Sequence, residues 1–307
     1  MTSKAHEEVH YGLVARVRGP IADILLEDGR VVPAVPRGTL KRQRRGTLLA
    51  VGDRVRVRER RDKDTWVIEE IAPRERALVR RWPNTRGRVD VIVANPDQAL
   101  FMFAVRDPHP RLNMLDRLLV IAEDNEIPAG IVVNKIDLAD EATARALFRD
   151  YELAGYPVFY TSILKGIGLE AIREHVKDRM TVLAGPSGTG KSSLINALEP
   201  GVTLPTGEIS RKWRQGRHTT VMAQLIPLRE GGYIVDTPGL REVGLWGIDL
   251  DNLDYYFPEF RPYLGRCKFN DCRHINEPGC AIIRAVEEGK ISPRRYESYL
   301  NILLSEG

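Results

Sequence analysis

Three short motifs constrain this chain more than anything else in it, through their order. Gly185, Pro186, Ser187, Gly188, Thr189, Gly190, Lys191 and Ser192 fit G-x-x-x-x-G-K-[ST]. In that pattern glycine-freed backbone N–H groups converge on a phosphate at a helix N-terminus. The apolar run Thr181-Val-Leu-Ala184 before it and Ser193-Leu-Ile-Asn-Ala-Leu198 after it supply the strand and helix it needs. Asp236-Thr-Pro-Gly239 follows another apolar run, Tyr233-Ile-Val235. Asn134, Lys135, Ile136 and Asp137 have the form of a base-reading box, yet they precede the phosphate loop by about fifty residues. An ordinary GTPase has that box well downstream. The order implies a circularly permuted α/β domain. Joining old ends and cutting a surface loop leaves every packed element in place, because the ends of compact domains are often close together.

The 307 residues leave room for flanking modules, at roughly 100–200 residues per domain. No run of about 18 apolar residues is present and Met1-Thr-Ser-Lys-Ala-His has no apolar leader, so a cytoplasmic protein without a membrane contact is expected. Short Val/Ile/Leu-rich strands are expected at 11–17, 21–27, 30–35, 53–58 and 65–71, with Asp28-Gly29 as a hairpin turn. Five strands in this length suggest a small barrel of OB type, or an SH3-like one. Residues 73–88, with two prolines and several arginines, read as a linker. Strand–helix alternation follows: strands at 89–94, 99–105, 130–133, 158–161 and 182–184, helices at 112–124, 142–154 and 169–179. That rhythm predicts a doubly wound parallel sheet. The remainder, from about Trp246, reads as mainly helical, with Ser292-Pro293 opening the last helix. The expected division is 1–75 barrel, 76–245 permuted GTPase domain and 246–307 metal module.

In the phosphate loop Lys191 is expected to reach the β- and γ-phosphates, with Ser193 continuing the loop's first helical turn, and Ser192 to bind magnesium. Asp137 can accept both N1–H and the exocyclic amine of guanine; adenine would leave the carboxylate unpaired. Thr161-Ser162-Ile163 follows the next strand, so Ser162 and the Ile163 backbone N–H are expected at the base. Asp236 is expected to hold magnesium through water, and the Gly239 N–H to meet the γ-phosphate. Leu240 stands where Ras-type enzymes have a water-orienting glutamine, so intrinsic hydrolysis should be slow. Gly216-Arg-His-Thr-Thr220 lies where the first switch belongs. There Thr219 or Thr220 offers a magnesium-binding hydroxyl, and His218 either orients the attacking water or is an ordinary loop residue.

All three cysteines fall in Cys267-x4-Cys272-x-His274-x5-Cys280. Three thiolates and one imidazole make a closed tetrahedral set, which points to one structural zinc. Acid-free basic stretches, Gly29 to Gly52 (Arg37, Lys41, Arg42, Arg44, Arg45) and Ile209 to Arg229, suggest a polyanionic partner or a solvated charged face. Arg54, Arg56 and Arg58 alternate with Val55 and Val57, and this all-arginine strand face suits phosphates.

Together the barrel, the permuted motifs, Gly216-Arg-His-Thr-Thr220, Asp236-Thr-Pro-Gly-Leu-Arg-Glu242 and the Cys/His module resemble the RsgA (YjeQ) family of bacterial ribosome-assembly GTPases, from about Tyr11 to Leu300. The resemblance implies a late role in maturing the small ribosomal subunit, with GTP hydrolysis to GDP stimulated by that particle. It implies ribosomal RNA gripped by the barrel and the zinc module, and His218 matches the family's hydrolytic histidine. Ile163 and Val221 depart from the usual pattern, and the stretch from Lys41 to Arg45 is more basic. A monomer is expected. The rival readings are a nucleotide-gated RNA-binding placeholder and a permuted GTPase serving the large subunit.

Overall fold

The computed structural model describes residues 8–43, 47–60, 65–81, 89–202, 204, 223–237 and 248–306. Arg44, Arg45, the stretch carrying His218, Thr219 and Thr220, and the segment with Gly239 and Leu240 lie outside the described residues.

Strands β1 (Val9–Arg18), β2 (Ile21–Leu26), β3 (Val31–Pro36), β4 (Arg54–Arg58) and β5 (Trp66–Ile71) close into a barrel of order β1-β2-β3-β5-β4. All pairs are antiparallel except β3 with β5, which is the OB arrangement. A short helix, α1 (Gly38–Gln43), follows β3. Alternation drives closure: Ala22, Ile24 and Leu26, then Val55 and Val57, then Trp66 and Ile68, point into one core.

The expected linker is a correction. Its middle, β6 (Ala77–Arg81), pairs antiparallel with β7 (Val89–Ala94), so the latter leaves the large sheet and joins a two-stranded ribbon. The reason is packing. Leu78 and Val93 are buried with Val51 and Ala15 of the barrel in the core of the main sheet, so the ribbon seals the seam between the two. A buried Asp53–Arg74 ion pair, Nε to Oδ1 at 2.7 Å, closes the same seam.

The main sheet runs β10 (Val158–Tyr160), β9 (Ala129–Asn134), β8 (Gln98–Ala104), β11 (Met180–Ala184), β13 (Tyr233–Asp236), β12 (Gln224–Pro227). It is parallel except for β12, an antiparallel edge strand the sequence did not announce. Central β8 sends Phe101 and Phe103 to one face and Leu100 and Met102 to the other. Helices α2 (Leu112–Asp124) and α3 (Glu141–Leu153) cover the first face; α4 (Leu169–Val176) and α5 (Lys191–Leu198) cover the second. The permutation joint is short. Only Lys177, Asp178 and Arg179 separate the end of α4 from the start of β11.

The C-terminal residues form 3₁₀ turns at Leu250–Asn252 and Pro258–Tyr263, then α6 (Ala281–Glu287) and α7 (Pro293–Glu306). Phe257, Phe260, Tyr299 and Ile302 share a core with Val120 from the outer face of α2. Arg295, 1% exposed, is held by Asp116 of α2 (2.6 Å) and Glu259 (2.6 Å), while Arg294 meets Asp116 (3.0 Å) and Asp150 of α3 (3.1 Å). Where α7 opens, the Ser292 hydroxyl donates to Asp150 of α3 (2.7 Å). The module is thus docked on α2 and α3 as well as tethered downstream of Asp236.

Candidate functional site

The phosphate loop leaves the buried β11 at Gly185 and enters α5 at Lys191. Close approach explains two glycines: a Cβ on Gly185 would sit 2.1 Å from the Met102 carbonyl oxygen, and one on Gly190 2.5 Å from Asn134 Nδ2. Ser187 and Gly188 form the exposed tip, and Thr189 is buried with its hydroxyl donating to the Pro186 carbonyl (3.1 Å). Lys191, 4% exposed, lays its ammonium across the loop and donates to the carbonyls of Gly185 (2.7 Å) and Pro186 (2.6 Å). Ser192 and Ser193 stand half-buried in the first turn of α5. Register between β11 and β13 pairs Leu183 with Asp236, so Asp236 ends beside the loop's root, and the Thr237 hydroxyl donates to the Leu183 carbonyl.

The base-reading box sits at the end of β9. Asn134 is 3% exposed and commits its amide to protein: Nδ2 donates to the Thr189 carbonyl (2.8 Å), and Oδ1 accepts from the Thr161 hydroxyl (3.2 Å) and the Ile163 N–H (3.3 Å). One side chain therefore pins the phosphate loop to both base loops. The Ile163 N–H, expected at the base oxygen, faces Asn134 here. Lys135 adopts a left-handed conformation and donates to the Asp107 carbonyl, tying in the loop after β8. Ile136 opens the 3₁₀ turn that presents Asp137. The Ser162 hydroxyl donates to Asp137, and that bond holds the carboxyl below the ordinary carboxylate range. An ionised, oriented acceptor is what a donor-bearing base edge requires.

Two contacts at this site were not legible in the sequence. Asn196 of α5 bonds both backbone groups of Leu204 (3.1 and 2.9 Å), and Arg16 of β1 donates to Gln224 of β12. Each joins segments with no motif at either end, so no spacing signals them.

The second constellation is metallic in form. The ligand atoms of Cys267, Cys272, His274 and Cys280 all lie within 4.8 Å of one another. His274 Nδ1 is 3.6, 3.5 and 3.3 Å from the three sulfurs, and Cys267 Sγ is 3.9 Å from Cys280 Sγ. Tetrahedral zinc with ordinary bond lengths implies edges of ~3.6 Å for S···N and ~3.8 Å for S···S, so the set fits. Burial pushes the Cys272 thiol up to about 12. A bound cation would let the thiols gather there as thiolates. Behind the imidazole, Nε2 meets Asp254 at 3.2 Å, the carboxylate that orients a ligating histidine.

The arginine face of β4 is compensated. Arg54 pairs with Glu75 (2.7 Å), Arg56 with Glu69 (3.2 Å) and Glu70 (3.0 Å), and Arg58 with Glu69 (2.9 Å).

Comparison with known proteins decides the family. The RsgA GTPase family model matches residues 71–246, more than half of the chain. The chain belongs to the RsgA GTPase family. A relative from Gemmatimonas aurantiaca named "Small ribosomal subunit biogenesis GTPase RsgA" is 51% identical over 293 residues, covering 95% of each chain. One of the same name from Bacteroides fragilis is 39% identical, covering 95% of this chain and 96% of its own. Among solved structures, YjeQ from Thermotoga maritima superimposes with a TM-score of 0.78 at 33% identity, covering 97% of this chain and 98% of its own. YloQ, described as a circularly permuted GTPase, gives 0.75 at 30%, covering 99% and 97%. Family membership makes the chain a GTP hydrolase, and the two solved structures match nearly its whole length, flanking modules included.

Proposed function

We propose that this GTPase acts in maturation of the small ribosomal subunit, as a single chain in the cytoplasm, with hydrolysis stimulated by that particle. The full-length likeness to relatives bearing that name carries the reading. Residues 1–75, 76–245 and 246–307 work as RNA-gripping barrel, GTPase domain and metal module. Asp137 reads guanine; Asn134, Lys135, Ile136, Ser162 and Ile163 build the base pocket. Lys191 exchanges the loop carbonyls for the β- and γ-phosphates, as the phosphate supplies the stronger, charge-assisted acceptor. Ser192, Asp236 and Thr219 or Thr220 hold magnesium, which when bound neutralises charge on the phosphates. Gly239 donates to the γ-phosphate. With Leu240 unable to orient water, His218 takes that role on the ribosome. Cys267, Cys272, His274 and Cys280 hold one zinc, which supplies folding free energy and leaves no open position for chemistry.

GTP turnover by the full chain, measured with purified small or large subunits, tests this. A strong rise with small subunits alone is expected. Stimulation by large subunits, or none by either, overturns the reading; particle binding without stimulated turnover favours a placeholder instead.

A further inference from the structure

One phenylalanine of the metal module is placed where packing gives it little to do. Phe257 and Phe260 are fully buried in the module's core, whereas Phe269, midway between Cys267 and Cys272, is 42% exposed. Exposure is not a product of a loose loop. Cys267 and Cys272 belong to the ligand cluster, and the Lys268 N–H donates to the Gly279 carbonyl (3.1 Å). On the other arm, Glu277 accepts backbone N–H bonds from Arg273 (2.9 Å), Ile275 (2.8 Å) and Asn276 (3.0 Å). Tyr299 and Tyr296 of α7 donate to the Arg273 and His274 carbonyls (2.8 and 2.7 Å). A rigid knuckle therefore displays an aromatic ring.

The charge around that ring is one-sided. Arg266, Lys268 and Arg273 stand against Asp271 as the single acid between Arg266 and Asn276. All three cations are exposed, and among the described residues none has an ion pair, in contrast with the arginines of β4. The Lys268 ammonium lies 5.5 Å from the Phe269 ring centre. A π-face with cations beside it matches an unpaired nucleotide, whose base stacks while its phosphates meet the cations; within a duplex the phosphates are present but the base faces are already stacked.

We infer that Phe269 stacks on an unpaired base of RNA, with Lys268, Arg266 and Arg273 meeting the flanking phosphates. This rests on the small-subunit reading and gives the metal module's contact its chemistry: single-stranded RNA.

The test uses the full zinc-loaded chain and a fluorescein-labelled RNA oligonucleotide, single-stranded or annealed to its complement, read by anisotropy at low salt. Phe269→Ala and Phe269→Leu should each weaken single-strand binding by about tenfold, within the range for loss of one stacked base, with duplex binding unchanged. Phe269→Trp should bind at least as tightly as the unmutated chain. Should Phe269→Ala disturb the knuckle, seen as lost zinc, the Phe269→Leu and Phe269→Trp pair decides. Equal single-strand affinity for the unmutated chain, Phe269→Leu and Phe269→Trp overturns the inference, and so does a Phe269→Leu variant that matches the unmutated chain while Phe269→Ala fails, because a bulky apolar side chain then suffices without stacking. Turnover with small subunits is measured on the unmutated chain separately: absence of stimulation there defeats the functional reading, whereas a stimulated chain with stacking-indifferent RNA binding defeats only this inference.

Discussion

The two modules that flank the GTPase domain both display cationic side chains and differ in what those charges do. On the barrel, Arg54, Arg56 and Arg58 face Glu75, Glu69 and Glu70 across the strand pair, so cations that look free along one strand are neutralised by the next. On the metal module, Arg266, Lys268 and Arg273 have no ion pair among the described residues, while Arg294 and Arg295 are sunk into the joint with α2 and α3. The lesson is that charge must be counted in space. A run of like residues on one strand says little until its neighbour is known, whereas a short loop fixed by a ligand cluster has few neighbours to hide behind.

That contrast is most sharply broken by taking the metal away. Structural zinc contributes on the order of 10 kcal/mol to the fold of small metal modules. Replacing Cys272 and Cys280 together by serine is therefore expected to unfold residues around the cluster, abolish zinc content and remove RNA binding by this module. The barrel core, which shares no residue with that cluster, should keep its own cooperative unfolding transition, followed by Trp66 fluorescence. Full stability and zinc content after the double replacement would end the four-ligand assignment.

The joint comes next. Arg295→Met leaves Asp116, fully buried, and Glu259 facing each other with one cation fewer. Breaking such a pair from one side costs about 3–5 kcal/mol. Chemical denaturation should show that loss, and much of it should return when Asp116→Asn and Glu259→Gln are added to it. A variant as stable as the parent would mean that α7 is held by its apolar core alone.

Much of this was readable in advance where the signal is local. The strands at 21–26 and 66–71, the helix at 112–124, the phosphate loop and the Cys/His set all announce themselves through periodicity or spacing within a few residues. What stayed hidden depends on distant partners. Asp116 and Arg295 are 179 residues apart, Arg16 and Gln224 208, and Asp254 and His274 20. β6 was obscured by arginines and prolines that read as linker, because Leu78 finds its core only once Val93 and Val51 are brought beside it. β12 is four residues long, ends in proline and sits at the sheet edge, so neither length nor alternation marks it.

The knuckle's cations should set a smaller but distinct effect. Replacing Arg266, Lys268 and Arg273 together by glutamine should reduce the slope of log affinity for small subunits against log salt by about 2, at about 0.7 per lost phosphate contact on a single strand. Zinc content and basal GTP turnover should not move, since none of the three is a metal ligand or part of a nucleotide motif. An unchanged slope would place the module's cations in solvent and leave the barrel as the source of the charge contact.

The smallest change is expected from the face that looked most promising as sequence. Replacing Arg54, Arg56 and Arg58 by glutamine removes three cations whose carboxylate partners are 2.7–3.2 Å away. Each partly exposed pair contributes no more than about 1 kcal/mol, so the barrel should lose little stability. Those arginines are already neutralised, so few counterions are released when RNA arrives, and the salt slope of small-subunit association should stay within error of the parent. The replacement also leaves Glu69, Glu70 and Glu75 unpaired, and their repulsion of phosphate should lower affinity slightly and uniformly across salt. A fall in slope as large as that of the knuckle variant would show that RNA pulls the arginines away from their glutamates, and the difference between the two modules would then disappear on the ribosome.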